Sequence, residues 1–136
     1  MFSQRSRKRK GSVPVEFAFT APILFLIVFG VTEFGRMTMA YSAMEEAARA
    51  ACRKAIIQGA TVADVETKAA ELLTPIGIDK YTISVDPNPP SSADRWTPVT
   101  VTISANYSDM NWLPIPQFVG TKRLTASCAL ASEHID

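Results

Sequence analysis

A run of 16 residues without a charge, Phe17 to Thr32, follows directly on a basic leader. This pairing constrains the chain more than any other feature. Counted from Ser12 the run has 21 residues, with Glu16 as its only charge. At about 1.5 Å of rise per residue, such a helix spans about 31 Å, close to a bilayer core of roughly 30 Å. The leader holds Arg5, Arg7, Lys8, Arg9 and Lys10 and no acid, so the rest of the chain is net acidic. A cationic flank before the run keeps the amino terminus in the cytoplasm and sends the carboxyl terminus outward. The immediate apolar continuation argues against a nucleic-acid-binding arm, so no nucleic acid is expected as a partner. The rival reading is a cleaved signal peptide with Phe17–Val28 as its hydrophobic stretch and a cut after Gly30.

The helical pattern continues beyond the apolar run. Phe34, Met37, Tyr41, Met44, Ala48, Ala51 and Ala55 recur at steps of three and four, a heptad stripe. Glu45 and Arg49 stand at the favourable i,i+4 spacing. Gln58-Gly59 supplies a stop. One helix from about Ser12 to Gln58 is therefore expected, its second half packing an alanine-rich seam on its own domain. Thr61, with Asp64 three residues on, has the form of a capping box. Val62, Val65, Ala69 and Leu72 make the stripe of a second helix that Pro75 and Gly77 end.

After Gly77 the period becomes two. Tyr81, Ile83 and Val85 alternate with polar residues; so do Val99 to Ala105 and Leu124 to Leu130. Three strands, each with one apolar face, predict an antiparallel sheet against the helices. The expected class is α+β: a long amino-terminal helix, its first half transmembrane, on a sheet of about three strands with one additional helix. The expected divisions are a leader at 1–11, a membrane span at 12–32, a helical extension at 33–58 and a small domain at 59–136. The segments 86–94 and 111–116 are expected to be loops.

Catalytic chemistry finds little support in this sequence. The single histidine, His134, lies near the end, and two cysteines do not make a metal box. No enzyme, cofactor or metal is expected. Both cysteines fall on the exported side, where disulfides are permitted. Cys52 lies beside the alanine seam and Cys128 on the apolar strand face, so a Cys52–Cys128 bridge is expected. It would close a loop of about 77 residues and stabilise by roughly 4 kcal/mol in the chain-entropy model.

The most informative residues are Gly11-Ser12-Val13-Pro14-Val15-Glu16-Phe17. A carboxylate inside a membrane helix costs about 2.5–3.5 kcal/mol at the centre on insertion scales, less near an end, and asks for a partner. A basic leader ending in glycine, then glutamate fifth and an aromatic sixth, resembles the prepilin-type processing signature. More narrowly, Glu16-Phe17-Ala18, Pro22, Phe29-Gly30, Glu33-Phe34-Gly35-Arg36 and Ala47-Ala48-Arg49 resemble the TadE-like proteins of tight-adherence (Flp) type IV pilus systems.

The resemblance implies a minor pilin, or pseudopilin, of the bacterial inner membrane, its carboxyl-terminal domain in the periplasm or carried into an extracellular pilus. It implies cutting by a membrane aspartic prepilin peptidase and work with other pilin subunits, a secretion ATPase and an assembly platform. Carried over by residue, it makes Gly11 and Ser12 the two sides of the cut and Glu16 the assembly carboxylate. Phe17, Pro22, Gly30, Glu33, Gly35 and Arg36 are the other motif positions. Pro14 departs from the expected pattern, yet the first helical turn has no intrahelical acceptor for its missing amide hydrogen. Pro22, deeper in, removes one helical hydrogen bond and is expected to kink the helix. The alternative function is a single-pass anchored or secreted binding module unrelated to pili.

Overall fold

The structure, a computed structural model, describes residues 12–110 and 122–132. The leader, the apolar segment around Trp112 and the carboxyl-terminal residues with His134 lie outside that range. The described elements are α1 (Ser12–Ala55), α2 (Val62–Leu73), β1 (Thr82–Asp86), β2 (Pro98–Asn106) and β3 (Arg123–Ala131). The architecture is α+β. By internal contacts the chain divides after Arg36, giving an amino-terminal unit and a unit from Met37 onward.

α1 begins at Ser12, so Pro14 falls in the first turn, where no helical hydrogen bond is lost. The helix runs on past Pro22. It ends at Ala55, three residues before the expected stop. Ile56 still donates its amide to the Cys52 carbonyl, but Ile57 donates to Lys54, one residue nearer, so the winding tightens. Gly59, at a φ of 76°, then takes the left-handed turn that any side chain would resist.

α2 starts as its sequence requires. The Thr61 hydroxyl accepts from the Asp64 amide at 3.3 Å, and the Asp64 carboxylate accepts from the Thr61 amide at 3.0 Å. Its buried stripe is Val65, Ala69 and Leu73. The expected Leu72 is partly buried and packs against the same core, while four-residue steps from Val65 make Leu73 the fully buried position. Gly77, at a φ of 78°, closes the 3-10 turn Thr74–Ile76 that follows.

The three strands form one antiparallel sheet in the order β1-β2-β3. Register places Val85 opposite Val101 and Val101 opposite Cys128; Ile83 faces Ile103, which faces Ala126. These rows share one face of the pleat. That face carries the core, where Val99, Val101 and Ile103 are fully buried together with Met44, Ala47, Ala48, Ala51, Cys52 and Ala55 of α1. Each fully buried valine or isoleucine contributes about 1.5–3 kcal/mol over its exposed state. The opposite face of β2 carries Thr100, Thr102 and Ser104, polar as alternation demands.

The helical stripe is therefore buried only in part. Met44, Ala48, Ala51 and Ala55 pack into the core, but Phe34 and Tyr41 are exposed. Ala47 and Cys52, off the heptad stripe, are buried instead. A sheet is wider than a partner helix, so the buried face is broader than a coiled-coil seam.

Candidate functional site

The candidate site lies in the amino-terminal unit, the first turns of α1. Gly11, one side of the expected cut, is outside the described residues, and Ser12 is the first residue of the helix. Glu16 follows four residues later, on the same helix face. It is exposed, as are its neighbours Val15 and Phe17.

From Phe17 to Val31 the helix turns every large apolar side chain outward. Phe17, Phe19, Ile23, Leu24, Phe25, Leu26, Ile27, Val28, Phe29 and Val31 are each more than half exposed. No part of its most apolar 18-residue window is buried. In water this would be an exceptional apolar surface. In a bilayer it is the expected lipid-facing surface, and the helix is long and apolar enough to cross a membrane once.

The two hydroxyls in the run are satisfied within the helix. Thr20 donates to the Glu16 carbonyl at 2.8 Å and Thr32 to the Val28 carbonyl at 2.9 Å. Neither hydroxyl leaves a bare donor in hydrocarbon, where it would cost several kcal/mol. Phe25 and Phe29 stack one turn apart, their ring centres 6.4 Å from each other.

The remaining motif positions lie along the same helix. Glu33 is half-buried and Arg36 exposed. At Gly30 and Gly35 an added Cβ would meet nothing within 4 Å. Packing among the described residues gives no reason for either glycine, although each costs about 0.5–1 kcal/mol relative to alanine in a helix interior.

Residues 11–53 match the family model described as TadE-like protein. The chain therefore carries a TadE-like segment over about its first third. The match supports an association with tight-adherence pilus systems, and it covers Gly11, the apolar run and the helix almost to its end. No curated protein and no solved structure matches the chain.

The two cysteines come together within the unit from Met37 onward. The Cys52 sulfur lies 3.4 Å from the Val99 carbonyl oxygen and 3.4 Å from that of Cys128. Both residues are free thiols in the structure, Cys52 buried and Cys128 half-buried. Burial, then the adjacent Cys128 side chain, pushes the Cys52 thiol up to about 12.

Sequence reasoning did not anticipate the polar cleft beside the start of β1 and the end of β2. Lys80, Asn106, Asp109 and Arg123 contribute to its lining. Lys80 approaches Asp109 at 3.8 Å, and the Asn106 amide donates to Asp109 at 3.5 Å. Nor did it anticipate Trp96, which is exposed at a φ of 67° with the Arg95 guanidinium 5.5 Å from its ring centre. Only the tight turn in which Thr97 donates to the Asp94 carbonyl brings that residue into the left-handed region. Among the described residues no cluster of histidine, cysteine and acidic side chains is arranged to hold a metal ion.

Proposed function

We propose that this protein is a minor pilin of a tight-adherence type IV pilus, held in the bacterial inner membrane by α1 and cut by a prepilin peptidase between Gly11 and Ser12. The observation that carries the reading is Glu16, a carboxylate exposed at the start of a helix whose next 16 residues carry no charge and face outward. A membrane anchor alone has no use for that carboxylate, whereas a subunit that must find register among copies has.

The mechanism follows from placement. Cleavage leaves an α-amino group on Ser12, cationic near neutral pH because such amines titrate at about 7.7–8.0. As subunits leave the bilayer, Glu16 of one pairs with the amine of a neighbouring pilin. In a low dielectric the pair offsets two desolvation costs, and a subunit out of register keeps an uncompensated charge. The basic leader holds the uncut amino terminus in the cytoplasm, which places the domain from Met37 onward on the periplasmic side. The peptidase, the neighbouring pilins, the assembly platform and, through that platform, the secretion ATPase are the partners this reading requires.

Intact mass of the membrane-extracted protein, expressed with its cognate peptidase, tests the proposal. The expected mature chain begins at Ser12. A chain beginning at Val31 defeats the pilin reading and favours a secreted binding domain.

A further inference from the structure

We propose that Cys52 and Cys128 form an oxidisable site at which a disulfide donor of the exported compartment closes a covalent clamp between α1 and β3, with Cys128 the thiol attacked first and Cys52 the thiol that resolves. The clause about the compartment rests on the orientation proposed above; the site itself rests on geometry. The two residues are 76 apart in sequence, yet the Cys52 sulfur touches the Cys128 carbonyl oxygen at 3.4 Å, and the Cys128 side chain stands against it.

The order follows from exposure. Cys52 is fully buried between α1 and the sheet, closed to an incoming disulfide. Cys128 is half-buried on β3, which lies at the edge of the sheet among the described strands. The thiolate is the nucleophile in disulfide exchange. Burial, which holds the Cys52 thiol protonated, makes it the poorer first nucleophile.

In the first step the Cys128 thiolate attacks one sulfur of the donor disulfide. A Cys128–donor bond forms, the donor disulfide breaks, and the donor's other sulfur leaves as a thiolate. In the second step the Cys52 thiol gives up its proton and attacks the Cys128 sulfur. The Cys52–Cys128 bond forms, and the donor's second sulfur departs and is protonated. Two electrons pass to the donor, which ends as two thiols, and the protein loses two hydrogens.

The clamp has a mechanical consequence. Beside Met44, α1 contributes Ala47, Ala48, Ala51 and Ala55 to the core, side chains that bury little area each. A bond at Cys52 carries load from the helix directly into β3.

Oxidised glutathione, applied to the full reduced chain in detergent at neutral pH, serves as the probe. The wild type is expected to lose two hydrogens and keep no adduct. Cys52→Ala is expected to retain one glutathione, on Cys128. Cys128→Ala is expected to stay unmodified until denaturant is added. A wild-type chain that accumulates stable glutathione adducts, or that stays fully reduced, overturns the site. Cys128→Ala reacting as fast as Cys52→Ala overturns the order. Thiol counting on protein taken directly from cells is read beside these: two free thiols there, in a chain that bridges when purified, overturn the exported placement and leave the site standing.

Discussion

The sulfur of Cys52 lies 3.4 Å from the carbonyl oxygen of Cys128, joining the interior of a long helix to the edge of a three-stranded sheet. Reduced, this contact makes stability depend on alkaline pH. The fold raises the Cys52 thiol from its usual value near 9 to about 12, mainly by burial, so the unfolded chain releases that proton first. The contribution is fully present below pH 9 and is lost as pH rises through 9 to about 12. Tyr81 is raised as well, by burial and by the nearby Glu66 and Asp79, and adds a loss that begins higher, above 10. Melting temperatures of the reduced chain should fall above pH 9, and Cys52→Ala should remove the part that starts there while the Tyr81 part remains. An unchanged slope in Cys52→Ala would remove the thiol from the account.

The cap of α2 makes an acid-side prediction. Thr61→Ala should destabilise by about 1 kcal/mol, the usual cost of losing an N-cap oxygen. Hydrogen bonds from the Thr61 side chain and amide hold the Asp64 carboxyl below its ordinary value of 3.8. A depressed carboxyl contributes above its unfolded value and loses that contribution as pH falls. Denaturant melts at neutral and acid pH should therefore show a smaller Thr61→Ala penalty in acid. Equal penalties would mean that the two halves of the box are not coupled.

The alanine seam admits no larger residue. Ala51 is fully buried in the core between α1 and the sheet, and Ala51→Leu should cost about 1–3 kcal/mol by overpacking. Arg53→Ala, exposed two residues on, should change stability by less than about 0.5 kcal/mol. Urea titration of both variants in detergent gives the comparison, and a stable Ala51→Leu protein would mean that the seam is looser than described.

Glu16 separates processing from assembly. Glu16→Ala should leave leader removal and membrane insertion largely intact while abolishing incorporation or pilus production. Glu16→Asp, which keeps the charge on a shorter reach, should be milder. Normal pili from cells carrying Glu16→Ala would show the pairing argument to be wrong.

Gly30 and Gly35 provide a second probe of contacts between chains. Because an added Cβ meets nothing within 4 Å at either position, Gly30→Ala and Gly35→Ala should leave insertion and the melting of the unit from Met37 onward unchanged. If neighbouring helices approach at these positions, as small residues allow in membranes, both should reduce pilus yield. Wild-type yield from the double variant would place the glycines outside any interface.

The sequence by itself determined what depends on neighbours along the chain. The charge-free run after a basic leader defined the apolar helix. The Thr61–Asp64 spacing defined the start of α2, and strict alternation at Ile83, Val101 and Ala126 marked the three strands before any contact was known. The Glu45–Arg49 ion pair, 3.0 Å in the structure, was legible in the same way. So was the TadE-like segment, whose residues lie within one helix and its leader.

Tertiary structure decided everything that depends on which surfaces meet. Periodicity marked Phe34 and Tyr41 as equal to Met44 and Ala51, but burial depends on where the sheet lies, so only the later pair is in the core. Leu73 is fully buried and Leu72 only partly for the same reason. The meeting of Cys52 with Cys128, and of Lys80 with Asp109, requires the path of the intervening chain. A hydrophobic stripe states that a side chain leaves water, since that preference belongs to the side chain alone. Its partner is set by packing among elements distant in sequence.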